Sequence, residues 1–388
     1  MNNNLIKDKK IAIIGGGPGG LTLARLLQLQ GATVKVYERD LDQNQRQQGA
    51  TLDLHEESGL KALTAAGLIE AFKKYYRPGA DRLKLMDEQA NIVFSDHDEK
   101  QEAEFGHPHF RPEIDRGPLR DLLTNSLAES TVEWDSQFVS MEQQNQQWLL
   151  HFKNGKTATA DLVIAADGAN SKVRPYITAI KPVYSGLSLV EGNIYHADQN
   201  APQLNLLVQA GKIFALGKEK SIILSAKGDG SLSFYAGLKT SENWIEESGI
   251  DFSNKNSVLN WFKECFGDWN PSWQELFASD EMYLVPRVMH HFPLDQSWIA
   301  QSNVTMIGDA AHLMPPYAGE GVNMAILDAL ELSEYLMDPR FKTLQEAIAA
   351  FEQQMCKRSA EVTAFTLEQT KALHAENALP YLVELIGH

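Results

Sequence analysis

Two cysteines, Cys265 and Cys356, are all that the 388-residue chain contains, and they lie far apart without CxxC or His-rich spacing. Neither a disulfide framework nor a zinc site is suggested, and a reducing, cytoplasmic setting is expected. Cations are also in short supply. With 35 Lys and Arg against 51 Asp and Glu, the net charge is −16, which opposes binding to nucleic acid or anionic membrane. No apolar run approaches the ~20 residues of a spanning helix, and even residues 221–226 are flanked by lysines and Asp229. Residues 1–10 are polar and run straight into an apolar strand, which leaves no room for an export signal. Internal repeats, low-complexity tracts and charge blocks are missing too. A soluble monomer acting on small molecules is expected, with no nucleic-acid or membrane partner.

What is present is ample core material. At 43% apolar residues, a chain of this length fills two packed domains more readily than one. Residues 9–14 read as a buried strand, 19–30 as a helix and 33–37 as a second strand, the opening of a βαβ unit. Helices are expected near 55–66 and 116–130, and strands near 131–134, 148–152 and 162–166. From 187 to 240 the pattern changes to short alternating runs at 187–195, 204–209, 213–216, 222–226 and 231–238, separated by turns such as Lys227-Gly228-Asp229-Gly230. These predict an antiparallel sheet. After Pro339 no Gly or Pro occurs until Pro380, and Thr343 with Glu346 reads as a capping box, so a helix of ~35 residues is expected, able to brace both domains.

Gly15-Gly16-Gly17-Pro18-Gly19-Gly20 fits GxGxxG through Gly15, Gly17 and Gly20, placed between a β-branched strand and a helix. Gly15 permits the tight turn, Gly17 lets a pyrophosphate approach the backbone, and Gly20 allows close helix–strand packing. The helix N-terminus supplies free amides and about half a positive charge. Glu38 ends the next strand, placed to accept hydrogen bonds from a ribose. This motif alone leaves NAD and FAD both open.

A second apolar strand, Val304-Thr305-Met306-Ile307, ends in Gly308-Asp309-Ala310-Ala311-His312, followed by Met314-Pro315-Pro316-Tyr317-Ala318-Gly319-Glu320-Gly321-Val322-Asn323 and an apolar helix. The stretch resembles the flavin-binding Gly-Asp motif of the class A flavoprotein monooxygenases, the para-hydroxybenzoate hydroxylase superfamily. Asp167-Gly168-Ala169-Asn170-Ser171-Lys172-Val173-Arg174 resembles that family's Asp-Gly motif, associated with FAD and NADPH. Within the superfamily the chain is similar to the tetracycline destructases, through Val36 to Asp40, Gly49 to His55, Pro112 to Arg116 and Gly308 to Gly319. The resemblance implies an α/β fold in which a Rossmann-like FAD-binding domain (1–180 and 287–340) interleaves with a smaller antiparallel-sheet substrate domain (181–286), followed by a long C-terminal helix (341–388).

By the same resemblance, Asp309 would hold a ribityl hydroxyl, Pro315 would lie beside the isoalloxazine ring, and amides from Gly319, Gly321, Val322 and Asn323 would face its pyrimidine edge. Pro18, Arg39, Asp53, Arg116, Arg120 and Asp167 complete the expected FAD contacts. Bland alternatives are a helix N-cap for Asp309, plain turns for Gly319 and Gly321, and surface ion pairs for Arg39 and Arg120. A helix starting at Val322 would point amide hydrogens at the negative charge of a reduced flavin. The family's substrate-contacting positions fall on Glu191, Lys212 and Ser233, with Phe214 as a further candidate. Here the residue types differ, so either the pocket is retuned for another polycyclic or aromatic molecule, or Glu191 and Lys212 are solvated sheet residues.

The implied chemistry is reduction of FAD by a transiently bound NADPH, formation of a flavin C4a-hydroperoxide from O2, and hydroxylation of an electron-rich carbon, so no catalytic side chain is assigned. No Ser-His-Asp or metal constellation is found, and His312 is expected to be structural. With no second GxGxxG, NADPH would visit a surface groove where Arg46, Lys172 and Arg174 could attract its phosphate. Trp269-Asn270-Pro271-Ser272-Trp273 does not make a flavin halogenase's Trp-x-Trp-x-Ile-Pro pattern. A phenol-type hydroxylase and a non-catalytic flavin redox sensor are the competing functions.

Overall fold

The computed structural model describes residues 5–45, 49–98, 104–107, 110–277, 279 and 282–386. Its first sheet is parallel and five-stranded, in the order Val304–Met306, Leu162–Ala165, Lys10–Ile14, Thr33–Tyr37, Val132–Glu133. Ile13 pairs with Ile164 on one side and Val36 on the other, and Ile164 pairs with Thr305. A parallel sheet covered on both faces needs near-continuous apolar strands, and Leu162–Ala165 is accordingly buried at every position. Helices Pro18–Leu29, Arg116–Asn125 and Gly321–Met337 pack around it, and an antiparallel meander (Phe138–Gln144, Gln147–Phe152, Thr157–Ala160) adjoins it, with Phe152 stacked 4.6 Å from Tyr37.

The second sheet has seven strands: Met282–His291, Val183–Ile194, Leu232–Lys239, Lys220–Ala226, Lys212–Gly217, Leu83–Met86 and Ile92–Ser95. The alternating runs after residue 187 do form its centre. Two of its strands, however, come from residues 83–95, inside the segment that the sequence assigned to the first domain. The period of two assigns opposite tasks to its faces. Val190, Ile213, Ile222, Leu224 and Phe234 pack under helices Pro202–Val208 and Lys255–Cys265 with an aromatic layer of Trp261, Phe262, Phe266, Trp273 and Phe277. On the other face Leu189, Leu216 and Leu85 meet Tyr317, Leu373 and Leu382.

One expected strand is a helix. Residues 204–208 fall in helix Pro202–Val208, where Pro202 at N1 sets the first φ, and Gln209 caps its end with φ 54°. Leu204 and Val208, four apart, are buried while Leu206 is 78% exposed, so a short apolar run that looked extended has helical spacing. The long helix starts as expected: the Thr343 hydroxyl accepts from Glu346 N while the Glu346 carboxylate accepts from Thr343 N. It runs Leu344–Leu373, about 45 Å at 1.5 Å per residue, and breaks before a separate helix Ala378–Ile386. Pro380 lies in the first turn of that second helix, where no backbone donor is needed. Thr305 Oγ1 donates to Glu352 on the long helix at 2.8 Å, and His374 at its end lies 2.9 Å from Ser221, so the helix touches both sheets.

Candidate functional site

The Gly-rich turn is built by close approach. Gly15 has φ +112°, and a Cβ there would stand 2.2 Å from Ala166 O; one on Gly20 would stand 2.2 Å from Gly15 O. At Gly17, by contrast, an added Cβ meets nothing within 4 Å. Gly17 is the N-cap of the Pro18–Leu29 helix, carries no side-chain cap, and is followed by no acid in the first turn. Free amides and the positive end of the helix dipole therefore face open space, which is what a pyrophosphate requires. Glu38 is buried: one carboxylate oxygen accepts from Gly16 N at 2.5 Å, the other from Asp40 N at 3.0 Å. A carboxylate has about four lone-pair sites, so two remain for ribose hydroxyls.

Arg39 is exposed, whereas Arg120 is buried between Asp40, at 2.9 Å, and the face of Trp134, at 5.0 Å. The guanidinium thus supports the strand end that carries Glu38. Arg116 is exposed and donates to Ala50 O at 3.0 Å.

At the Gly-Asp end, Gly308 adopts φ 60°, and a Cβ on it would meet Ala325 Cβ at 2.9 Å. Its amide donates to Asp328 Oδ2 at 2.8 Å, an oxygen shared with His312 Nε2 at 2.5 Å. Arg358, from the long helix, ion-pairs with Asp328 and Glu331. Burial works against charge on both His312 and Asp328. Their mutual attraction nonetheless holds the His312 pKa above, and the Asp328 pKa below, the ordinary value. His312 is thus a structural brace behind Asp309. The Asp309 carboxyl itself is pushed up by burial, against the pull of His312 and Arg116, and among the described residues it has no hydrogen-bond donor.

Pro315 is buried and extended, and leads through a Pro316–Ala318 turn to Gly319 at φ +70°. A Cβ on Gly319 would lie 3.1 Å from Asp53 Oδ1, so this loop presses on Asp53. The following helix starts at Gly321, one residue before the expected Val322. Asn323 is fully buried and spends its side chain on the protein: Oδ1 accepts from His55 N at 2.9 Å and from Ser58 Oγ at 3.3 Å, and Nδ2 donates to Asp53 O at 2.9 Å. It ties the 53–58 segment to the loop. His55, in turn, has one ring nitrogen 3.1 Å from Asp53 and the other 3.6 Å from Glu320.

Asp167 accepts from Lys172 N at 2.8 Å through one oxygen, while the other is buried with no partner among the described residues, and burial raises its pKa. Lys172 is exposed. Arg174 is not available to a cofactor phosphate. It is buried, donates to the carbonyls of Ala310 and Ala311 at 2.9 and 3.0 Å and to Gln296 at 2.9 Å, and stacks 3.5 Å from the Phe292 ring; burial lowers its pKa to about 10. An arginine in a basic-looking run proves to be a clamp on the backbone after Asp309. Arg46 lies outside the described residues.

Glu191, Lys212, Phe214 and Ser233 all fall on the sheet face opposite the aromatic layer. None is simply solvated. Glu191, 4% exposed, ion-pairs with Arg287, and Lys212 ion-pairs with Glu113 from the two-stranded Leu52–Asp53/Glu113–Ile114 ladder. Burial opposes the Lys212 charge, but Glu113 and Asp53 raise its pKa above the usual lysine value. Asp53 resists burial through His55 and Lys212 and is held at about 2. Sequence reasoning missed Glu113, Asn193, Tyr317 and His374. A period-two count would have put Asn193 on the Glu191 face, but nothing in the sequence joins Glu113 to Lys212, ninety-nine positions away.

A family model described as an FAD binding domain matches residues 8–366. The 3-amino-4-hydroxybenzoate 2-monooxygenase of Streptomyces cremeus is 27% identical over 92% of this chain and 85% of its own. Among solved structures, Klebsiella pneumoniae HpxO complexed with FAD and uric acid has a TM-score of 0.75 at 19% identity, covering 98% of this chain and 93% of that one. Tetracycline destructase Tet(55) has a TM-score of 0.75 at 20% identity, covering 95% and 90%.

Proposed function

The chain belongs to this FAD binding domain family, and on that premise we propose that it is a single-component, NAD(P)H-consuming monooxygenase that hydroxylates a tetracycline-like, polycyclic or other aromatic small molecule. The observation that carries the proposal is the convergence of two half-sites on one parallel sheet. The open helix N-terminus at Gly17 with Glu38 lies at the end of two adjacent strands, and Asp309 with the Pro315–Asn323 loop follows a third. An open anion cradle, a carboxylate with free lone pairs and an undonated Asp309 fit the pyrophosphate, ribose and ribityl parts of FAD.

Gly15, Gly17, Pro18, Gly20 and Glu38 would hold the adenosine half. Asp309, Pro315, Gly319, Gly321, Val322 and Asn323 would hold the ring half, with Asp53, Arg116 and Asp167 at its margins. When bound, FAD supplies hydride acceptance and oxygen activation. The chain's own work is to bind, orient and exclude water. Amides at the start of the Gly321–Met337 helix, carrying the positive end of its dipole, stabilise negative charge on the ring. Buried Tyr317 closes the space between that loop and the sheet, its ring 4.8 Å from His374. Glu191, Lys212, Phe214 and Ser233 would meet the substrate from the sheet. With Arg174 occupied, exposed Lys172 is the remaining described candidate for NADPH's phosphate.

The test is incubation of the purified holoprotein with NADPH, O2 and a panel of tetracyclines, phenols and quinones. The expected outcome is substrate-stimulated NADPH oxidation and a product heavier by one oxygen atom. A flavin redox sensor would show no stimulation by any compound, and that result would overturn the proposal.

A further inference from the structure

On the sheet face that carries Glu191, the fully buried Asn193 stands directly opposite Ser233, which pairs on its other side with Ser225, and Ser225 with Lys212. Gly192, one residue earlier, turns the opposite way, since a Cβ on it would strike Phe234 at 2.3 Å. Asn193 therefore belongs to a polar row crossing four strands, about 14 Å at the usual strand spacing of ~4.8 Å. The row shares its face with Leu187, Leu189 and Leu216 and with Glu191, Tyr235 and Ser221, which have partners of their own. Asn193 is 0% exposed and Ser233 1%, yet among the described residues neither end of the Asn193 amide nor the Ser233 hydroxyl has a hydrogen-bond partner. Buried polar groups are almost always paired, and a carboxamide with both ends unmet is among the costlier exceptions. Such a residue does not stabilise the sheet, where a leucine would serve better.

Two adjacent groups left unmet on one face call for one partner. A carboxamide offers an acceptor beside a donor, and the edge that completes both is another donor beside an acceptor, which is the edge of an amide or lactam. Ser233 Oγ adds a third contact, giving or taking as needed. Tyr235, the next position along the Ser233 side of that strand, is met by Ala50 N at 3.4 Å, so residues 49–51 lie over the same face. Resting on the oxygenase function above, we propose that Asn193 is a specificity-determining residue that reads an amide or lactam edge of the aromatic substrate, with Ser233 beside it.

The holoenzyme is titrated with 2-quinolone, 1-methyl-2-quinolone, which lacks the N–H donor, and naphthalene, following the perturbation of the flavin absorbance. Wild type is expected to prefer 2-quinolone over its N-methyl analogue by roughly tenfold. Asn193→Leu is expected to abolish that preference, keep naphthalene binding, and raise the Tm by about 2 °C, since an unmet amide is replaced by an apolar side chain. Ser233→Ala tests the neighbour and is expected to weaken 2-quinolone binding without lowering the Tm. A fall in Tm of Asn193→Leu would make the residue structural and overturn the proposal. So would an unchanged preference in that variant, or a wild-type flavin that responds to neither quinolone. Failure of the oxygenase function shows elsewhere, as absence of oxygen insertion across the substrate panel, because the binding and Tm measurements need no turnover.

Discussion

Replacing Gly17 with alanine separates cofactor binding from folding. Gly17 has φ −79° and ψ 176°, a conformation open to any residue, and the added methyl would touch nothing within 4 Å. Alanine is a poorer N-cap than glycine by roughly 0.5–1 kcal/mol, while restricting the unfolded chain contributes about 0.4–1 kcal/mol in the other direction. These terms nearly cancel, so the apoprotein's Tm should stay within about 2 °C of wild type. In the proposed site the pyrophosphate would come against the backbone in the open space at Gly17, and overpacking by one methyl costs about 1–3 kcal/mol. Kd for FAD should then rise roughly 5- to 150-fold. The assay is reconstitution of apoprotein with FAD, read by fluorescence quenching, beside thermal unfolding of the apo form. Gly20→Ala is the counter-case, because its methyl would lie 2.2 Å from Gly15 O and the backbone cannot yield, so that variant should lose stability as well as flavin. A Gly17→Ala protein that binds FAD as tightly as wild type would refute the reasoning.

Asp328→Asn should destabilise the protein by about 3–5 kcal/mol, since it leaves a charged His312 in the interior without its anion and Arg358 with Glu331 alone; chemical denaturation measures it. His312, with its pKa raised, contributes stability that is complete below about pH 6.5 and is lost as pH rises through its higher folded value. His312→Gln should therefore flatten the alkaline side of the Tm–pH curve. Burial drives His374 the other way, down to about 4, so its contribution is present above about pH 6.5 and fades as pH falls towards 4, by an order of 3 kcal/mol; His374→Gln should remove that acid sensitivity. Lys172→Ala should raise KM for NADPH without loss of flavin. Arg174→Ala should instead lower stability and FAD content, because it takes a donor from the Ala310 carbonyl and from Gln296 and leaves Ala311 O with the Gln296 amide alone.

The parallel sheet and its Gly-rich turn were legible because local pattern dictates them: a β-branched run, three glycines at fixed spacing and an acid at the next strand end leave little choice. The long helix was legible at its start, where Thr343 and Glu346 are three apart, and less so at its end. The break at His374 depends on a ring bonded to Thr370 O and Ser221, and Ser221 is 153 positions away. The helix at Pro202–Val208 was missed because seven residues cannot separate a period of two from one of 3.6. Residues 83–95 were missed as part of the second sheet because strand order follows from long-range pairing. In the same way, Arg174 looked like an exposed cation until its two carbonyl partners came from the far side of the chain.

The strand order of the parallel sheet also sets a timetable for synthesis. Leu162–Ala165 and Val304–Met306 are immediate neighbours, yet about 140 residues separate them, and nearly the whole seven-stranded sheet is made in between. At ~5–20 residues per second a ribosome takes roughly 7–28 s to bridge that gap. During the interval the Gly-rich half-site exists while its companion at Asp309 does not, and Leu162–Ala165 has an open edge that invites other strands. Cofactor capture is therefore a late event in biogenesis, and flavin supply or chaperone cover during those seconds sets how much of the newly made chain reaches the holo state.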